Sequence, residues 1–279
     1  MNPLGSEHDA RRGGDAGDAA VRFVIPLFNE AKNVAGVVDG IAQQLGARPW
    51  TILAVDDGST DDTRAVIDAL ARDRPQRLQA ISHARNLGVP DALWTGYAAA
   101  AAAARDGDFI VCAEGDGTSD PAALGEMLAR LRAGCDIVIP SRFVKGGGWS
   151  GFPFHRKVIS RVGNGLLGFL FPYPGITDFT IFYRGYRAAF LKNVIARQGR
   201  AAFGGRHFSA NVSLLLACLP ERPRVAEVPH VYCYGCKKSR SAFRVGAAVL
   251  AYFQLAATVG VVRLRALCRA ERRRQTPSA

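Results

Sequence analysis

The stretch VCAEGDGTSDP, residues 111–121, carries a run of apolar residues directly into a cluster of carboxylates. Residues 109–113 are apolar throughout and predict a buried strand. Glu114, Asp116 and Asp120 then follow within seven positions. Such residues are common in solvated turns, which is one interpretation. The other is a divalent-cation site at the carboxyl edge of a sheet, and the rest of the chain bears on the choice.

The composition is that of a globular protein with an uneven charge. The chain has 279 residues, of which 48% are hydrophobic and 22% charged, enough for one large or two small domains. The formal net charge is +12, and from Lys237 onward ten basic residues face one acidic residue. A basic tail suits nucleic acid or an anionic membrane. Residues 1–20 lack the apolar core of a secretory signal and predict a disordered tail.

Residues 21–140 alternate between short apolar runs and amphipathic segments. The runs predict strands at 21–25, 51–55, 78–81, 109–113 and 136–140, and the amphipathic segments predict helices at 31–45, 61–71, 91–104 and 121–132. Strands that are apolar on both faces indicate a mostly parallel sheet covered by helices, an α/β fold. Ligands of such sheets bind beyond the carboxyl ends of the strands.

Acidic residues follow three of the predicted strands. Glu30 comes after the first, Asp56 and Asp57 after the second, and Glu114 and Asp116 after the fourth. Carboxylates brought to one sheet edge repel one another unless a cation or a hydrogen-bonding ligand lies between them. Mg²⁺ or Mn²⁺ fits best, because hard cations take oxygen ligands and Mg²⁺ combines one or two carboxylates with substrate phosphates.

The second half of the chain differs in character. A glycine-rich loop at 146–148 precedes a helix predicted at 155–171, which has a basic start and an apolar continuation. Residues 224–234 predict one further strand. Residues 245–262 are apolar except for Gln254 and Thr258, and form about 27 Å of helix, the lower limit for crossing a bilayer core.

The six cysteines show no framework spacing, so we expect reduced thiols in a cytoplasmic protein. Cys233 and Cys236 have the spacing of half a zinc site. No second pair follows them, which makes a metal or redox role there the less favoured interpretation.

Eight motifs stand together in one order. They are VIPLFNE (24–30), VDDGSTDDT (55–63), NLGVPDALWTGYAAA (86–100), EGDGTSDP (114–121), SRFVKGGG (141–148), HRKVISRVGN (155–164), DFTIFYRGYR (178–187) and CKKSRS (236–241). In this combination the chain resembles the inverting GT-A glycosyltransferases of the dolichol-phosphate mannose synthase type, the polyprenyl-phosphate sugar transferases. The resemblance covers residues 21 to about 241 and implies a Rossmann-like nucleotide-sugar-binding fold.

The resemblance implies a role for each matching residue. The nucleotide-sugar would be held by Pro26, Phe28, Glu30, Val55, Asp57, Gly115 and Thr118, with Lys238 or Arg240 closing over it. Glu114 and Asp116 stand where the family has an Asp-x-Asp metal motif. Asp116, Arg142, Arg156 and Ser160 are the implied catalytic residues, the last three as binders of donor and acceptor phosphates. The chain departs from the family at Glu114, usually Asp, and at Phe182, usually Gly, where we expect a reshaped pocket.

The implied reaction is metal-dependent inverting transfer from GDP-mannose or a UDP-hexose to a polyprenyl or dolichyl phosphate. An ionised phosphate needs no catalytic base, whereas a soluble GT-A enzyme with a hydroxyl acceptor would need one, and Asp178 is the candidate. A non-enzymatic nucleic-acid-binding protein is the third class. We do not expect nucleic acid as a partner, because the basic tail has few interleaved aromatics and the acidic edge would be unexplained.

The domain organisation follows from these segments. We expect a tail at 1–20, a glycosyltransferase domain at 21–236, a membrane-associated or transmembrane helix with basic flanks at 237–266, and a basic tail at 267–279. Membrane lipids are then partners, at the cytoplasmic side of a membrane, the plasma membrane in a bacterium. A small membrane subunit or a second copy of the chain are further candidate partners.

Overall fold

The computed structural model describes residues 19–205 and 209–238. The strands are β1 Val21–Leu27, β2 Trp50–Asp56, β3 Leu78–Ser82, β4 Phe109–Cys112, β5 Ile137–Ser141, β6 Gly148–Ser150, β7 Arg184–Arg187, β8 Val225–Pro229 and β9 Val231–Cys233. The helices are α1 Val34–Leu45, α2 Thr63–Asp73, α3 Val89–Ala103, α4 Ala123–Arg132, α5 Phe154–Leu170, α6 Ala188–Gln198 and α7 Ser209–Cys218. Short 3-10 turns lie at Gly199–Phe203, Leu219–Glu221 and Tyr234–Cys236.

A seven-stranded sheet organises the molecule in the order β3-β2-β1-β4-β7-β5-β8. The first three pairings from β3 to β4 are parallel, as the apolar runs predicted. β7 is antiparallel to both of its neighbours, β4 and β5. The α/β fold with a mostly parallel sheet is therefore confirmed, with one reversed strand in the middle.

The prediction of a single strand across residues 224–234 was wrong. β8 ends at Pro229 and pairs with β5 in the main sheet, while β9 pairs with β6 in a separate two-stranded ribbon. Between them His230 donates its backbone N–H to the Ser141 carbonyl at 3.1 Å, and its own carbonyl accepts from Gly148 at 3.0 Å. The chain passes from the main sheet to the ribbon at this residue, so the segment predicted as one strand consists of two.

The buried strand β7 is tied to α7 by a buried guanidinium. Arg184 has no exposed surface. Its Nη1 donates to the Asn211 carbonyl at 3.0 Å, and its Nη2 donates to the carbonyls of Phe179 at 3.2 Å and Ile181 at 3.1 Å. Carbonyl oxygens thus satisfy the two terminal nitrogens, whereas the buried Nε has no hydrogen-bond partner among the described residues. The contacts fix the reversed strand relative to the helix on its face.

The predicted C-terminal helix at 245–262, the basic tail predicted at 267–279 and residues 1–18 of the tail predicted at 1–20 lie outside the described residues. Within the described part, none of the helices combines the length and the hydrophobicity needed to cross a bilayer.

α3 packs very closely on β1 because a glycine stands at the contact. A Cβ added at Gly96 would lie 2.3 Å from Cγ1 of Val24 and 3.1 Å from Cγ2 of Val55. Both neighbours are fully buried, β-branched side chains with restricted rotamers. The helix can therefore approach the sheet this closely only without a side chain at this position.

Gly96→Ala should destabilise the protein by about 1–3 kcal/mol, because overpacking outweighs the gain in helix propensity. Gly125→Ala is the matched control, since that glycine in the first turn of α4 has nothing within 4 Å of its added Cβ, and it should be neutral or stabilising. Urea unfolding of both variants measures the difference. Equal stability of the two would contradict the packing argument.

Candidate active site

Two carboxylates stand immediately after β4, at the carboxyl edge of the sheet. The Ser119 hydroxyl donates to Oε2 of Glu114. Asp116 is held by Thr118, whose N–H and hydroxyl donate to Asp116 Oδ1 at 3.1 Å and 2.5 Å. Thr118 itself is buried. The turn therefore points each carboxylate in a defined direction.

Gly115 lets this turn sit directly on the end of β1. A Cβ there would lie 2.2 Å from Cδ2 of Leu27 and 3.3 Å from the Pro26 carbonyl oxygen. The turn consequently brings Glu114 and Asp116 to the point where the first acidic loop begins.

The pair concentrates negative charge at the end of β4. Burial raises the pKa of Glu114 to about 7, and the neighbouring Asp116 raises it further, while the Ser119 hydrogen bond opposes both effects. Two carboxylates that resist joint ionisation are stabilised by a cation between or beside them.

A cation from the chain itself lies there. Lys237 places its Nζ 2.8 Å from Oδ2 of Asp116 and 3.6 Å from Oε1 of Glu30. The ammonium occupies a position suited to a positive charge, and the ligands around it are carboxylate oxygens. The residues therefore fit a hard divalent cation such as Mg²⁺ or Mn²⁺, with Glu114 and Asp116 as its holders. Within the described residues no three metal-ligating side chains cluster, so substrate oxygens would complete the coordination.

The second acidic loop leaves the same edge of the sheet as the other two, as predicted, because β2, β1 and β4 are adjacent and parallel. Asp57 accepts hydrogen bonds from Nδ1 of His83 at 2.7 Å and from the backbone N–H groups of Leu87 and Gly88 at 2.9 Å and 2.8 Å. Asp56 accepts from the Ser59 N–H at 3.0 Å. These buried carboxylates are satisfied by the protein and shape the loops beside the site.

A buried ion pair lies on the other side of Glu114. Arg142 donates from Nε and Nη2 to the two oxygens of Asp178, each at 2.7 Å, and from Nη2 to Oγ1 of Thr180 at 2.7 Å. Asp178 has no exposed surface. Burial opposes its ionisation, but Arg142 more than offsets this and lowers the pKa of Asp178. Asp178 is thus a weak base that holds Arg142 in place, and Arg142 in turn interacts electrostatically with Glu114.

Arginines and aromatic rings continue from Arg142 toward α5. The Arg142 guanidinium lies 5.8 Å from the Tyr232 ring centroid, and Arg156 lies 5.3 Å from that of Tyr234. The Ser160 hydroxyl is buried, and it has no hydrogen-bond partner among the described residues. Of the three predicted phosphate binders, Arg142 therefore lies directly after β5, and Arg156 and Ser160 lie on α5.

The remaining predicted residues are placed as follows. Pro26 and Val55 are register partners on β1 and β2, and the Val55 side chain is fully buried. Phe28 is exposed beyond the end of β1. Lys238 is exposed, and its backbone N–H donates to Oδ1 of Asn33 at 3.1 Å. Arg240 lies outside the described residues.

The structure corrects the expectation of reduced thiols at one place. Cys233 and Cys236 form a disulfide. Cys112, Cys135 and Cys218 are free, as expected.

The sequence over most of this sheet also matches a known protein family. Residues 23–195 match the model of Glycosyl transferase family 2. The chain belongs to that family. It is a glycosyltransferase with a GT-A fold, and the sequence resemblance to the polyprenyl-phosphate branch of family 2 is confirmed by its relatives.

Three curated relatives carry this support. Polyprenol monophosphomannose synthase of Mycolicibacterium smegmatis is 31% identical over 207 residues, which cover 74% of each chain. Dolichol-phosphate mannosyltransferase of Pyrococcus furiosus is 30% identical over 50% of this chain and 38% of its own length. Dodecaprenyl-phosphate galacturonate synthase of Rhizobium johnstonii is 29% identical over 62% and 49%. The chain thus spans less than half of the last two.

A solved structure shares the fold. Glucosyl-3-phosphoglycerate synthase from Mycobacterium tuberculosis, in complex with Mn²⁺, UDP and glucosyl-3-phosphoglycerate, superposes with a TM-score of 0.59. The alignment covers 88% of this chain and 79% of that one at 17% identity.

Two residues of this family 2 site escaped sequence reasoning. Lys237 reaches the carboxylates, whereas we expected Lys238 or Arg240. The resemblance pointed to the right segment, but it could not settle which of two adjacent lysines turns inward. His230 is 2% exposed, and neither ring nitrogen has a hydrogen-bond partner among the described residues. Its ring packs edge-on against Tyr183 at 5.7 Å.

His230 makes the stability depend on pH. Burial lowers the pKa of His230 to about 4; Asp120 opposes the shift and Arg142 adds to it. In the unfolded chain the imidazole is protonated below about pH 6.5. Between pH 6.5 and 4 the unfolded chain therefore binds a proton at His230 that the folded protein does not bind. The free energy of unfolding should therefore fall as the pH falls through this window, and level off below it.

The free energy of unfolding of the wild type, measured with urea, should be lower at about pH 4.5 than at pH 7 by about 2–3 kcal/mol from His230 alone. His230→Phe keeps an aromatic ring and should lose that much less. His155→Phe, at an exposed histidine, should behave as the wild type. An identical pH dependence in His230→Phe would disprove a buried neutral imidazole.

Proposed function

We propose that this glycosyltransferase transfers a hexose from GDP-mannose or a UDP-hexose to a polyprenyl or dolichyl phosphate, with inversion and with Mg²⁺ or Mn²⁺. The observation that carries the proposal is the buried pairing of Arg142 with Asp178. It leaves the hydroxyl-acceptor alternative without the base it requires, and it holds a guanidinium beside the carboxylate pair. A phosphate acceptor is already ionised and needs only countercharge.

The residues divide the work between the two substrates. Glu114 and Asp116 would hold the cation, which when bound offsets negative charge on the departing diphosphate. Arg142 and Arg156 would supply countercharge to an acceptor phosphate, and the fork of the Arg156 guanidinium suits two phosphate oxygens. The Asp178 contacts use Nε and Nη2 of Arg142, which fixes the plane of the guanidinium. Attack on the sugar C1 from the face opposite the diphosphate then inverts that carbon.

The relatives support this choice of acceptor. Three proteins with 29–31% identity are named for polyprenol, dolichol-phosphate or dodecaprenyl-phosphate products. The solved structure with Mn²⁺ and UDP shares only the fold at 17% identity, and it is consistent with a donor and a cation at this edge of the sheet.

Asp116→Asn should abolish transfer of radiolabelled sugar into the organic phase, because the cation loses its better-exposed carboxylate. Chelation with EDTA should do the same to the wild type, and Mg²⁺ or Mn²⁺ should restore it. Asp68→Asn is the matched control, since Asp68 pairs only with exposed Arg64 on α2 among the described contacts. A panel of GDP- and UDP-sugars in this assay identifies the donor. Full activity in excess chelator would contradict a catalytic cation at Glu114 and Asp116.

Localisation at a membrane surface is supported by one face of α5. Phe154, Val158, Val162 and Phe169 are exposed, the two phenylalanines by 78% and 82%. At about 100° per residue the four lie within roughly 80° of arc. Lys157 and Arg161 border this stripe. Apolar rings flanked by basic side chains are typical of helices that lie in the interface of an anionic bilayer. We infer that α5 faces the cytoplasmic leaflet and brings the acceptor to Arg156.

The double variant Phe154→Ser, Phe169→Ser should lower catalytic efficiency with a long-chain acceptor in anionic vesicles by at least about tenfold, since each phenylalanine gains about 1.5–3 kcal/mol on leaving water. Efficiency with a short, water-soluble acceptor is the internal control and should not change. A parallel loss with both acceptors would indicate damage to the site and contradict the membrane role of α5.

A further inference from the structure

A short segment crosses the carboxylate pair from one side of the site to the other. Residues 231–238, here called the strap, begin as β9 on the ribbon with β6 and end where the Lys238 N–H donates to Asn33 before α1. Along the way the Cys236 carbonyl oxygen passes 3.8 Å from the position of a Cβ at Gly117. The strap therefore lies against the same turn that presents Glu114 and Asp116.

The strap and the turn enclose a cavity. It has a volume of about 240 Å³ and is lined on one side by Asn33 and Val37, and on the other by Gly117, Cys236 and Lys238. Lys237, between the last two residues of the lining, points at Asp116 and Glu30. The position of the strap thus decides whether the ammonium rests on these carboxylates.

The disulfide closes the strap directly before Lys237. Cys233 and Cys236 are bonded across the turn Tyr234–Cys236, with Cα atoms 5.5 Å apart. Cys236 is exposed and Cys233 is partly buried. An accessible Cys-x-x-Cys disulfide can exchange with dithiols, and reducing compartments favour the thiol form.

We propose that Cys233 and Cys236 are a redox-modification site for a dithiol reductant, and that their oxidation holds Lys237 in the position of the divalent cation. The proposal rests on the proposed function, because it assigns that cation to Glu114 and Asp116. In the oxidised protein Lys237 competes with the cation for Asp116. In the reduced protein Lys237 leaves Asp116, and the cation can bind.

The exchange balances without any further reagent. A thiolate of the reductant attacks the exposed Sγ of Cys236, and the Cys233 sulfur leaves as a thiolate that takes up a proton. The second thiol of the reductant gives up its proton and attacks the reductant sulfur of the mixed disulfide, releasing Cys236 as its thiol. Two electrons pass from the dithiol to the protein, and the reductant becomes a disulfide.

Competition follows from charge and space. Lys237 Nζ is in direct contact with Oδ2 of Asp116, so a divalent cation on the same oxygen would meet a like charge at short range. With the bond to Cys233 cut, Cys236 no longer fixes the residue that follows it. Lys237 can then leave the carboxylates while Glu114 and Asp116 stay in place, because their hydrogen bonds come from Ser119 and Thr118.

The test measures Mn²⁺ binding to the full chain in detergent by the loss of the free-ion electron paramagnetic resonance signal. Protein reduced with a phosphine should bind Mn²⁺ about fivefold more tightly than oxidised protein, the effect of one partly exposed ion pair. Lys237→Gln should bind tightly in both states. Lys238→Gln is the matched control and should keep the wild-type difference. The double variant Cys233→Ser, Cys236→Ser should behave as reduced protein.

Equal Mn²⁺ affinity of oxidised and reduced wild type would overturn the proposal and leave the metal site intact. A redox difference that persists in Lys237→Gln would also overturn it. Absence of Mn²⁺ binding in every form would instead refute the cation in the proposed function. The strap is then tested by the rate of tryptic cleavage after Lys237: acceleration on reduction supports release of the strap, and an unchanged rate refutes it.

Discussion

Negative charge at the end of a buried strand is the constraint on which this structure depends. Glu114 and Asp116 follow β4 without a spacer, and Gly115 presses them against β1. A cation is required at such a place, either from solution or from the chain, because burial makes unbalanced carboxylates costly. Lys237, which lies more than a hundred residues further along the chain, places its ammonium on Asp116. The strap, the ribbon that carries it and the wall of arginines are arranged around that charge.

The first half of the fold could be predicted from the sequence because its signals are local. Runs of four or five residues predicted β1 to β5, with ends within two residues of those observed. α1 to α4 follow amphipathic spacing in the same way. The second half depends on contacts between distant segments. β7 pairs between β4 and β5, and no local pattern in DFTIFYRGYR predicts that position or its reversed direction.

The site residues likewise differ in how well the sequence alone predicts them. Glu114, Asp116, Arg142 and Arg156 were predicted from motifs, and the structure places them along one edge. Sequence reasoning predicted the sheet edge at which the acidic loops meet, but it could not show that Asp57 is satisfied there by His83 and two backbone N–H groups. It also named Asp178 as a candidate base. Only the geometry shows that both oxygens of Asp178 are committed to Arg142, which turns a candidate for proton transfer into a support.

The reversed strand has a consequence for how the chain assembles during synthesis. β4 emerges at residues 109–112, but its outer edge stays unpaired until residues 184–187 arrive, and β5 cannot join the sheet before then. For roughly 70 residues of translation the nascent sheet of β1 to β4 carries an open apolar edge of the kind that invites pairing with other chains. The carboxylates at the end of β4 stand beside that edge throughout. Charge beside an open edge disfavours its pairing with other chains.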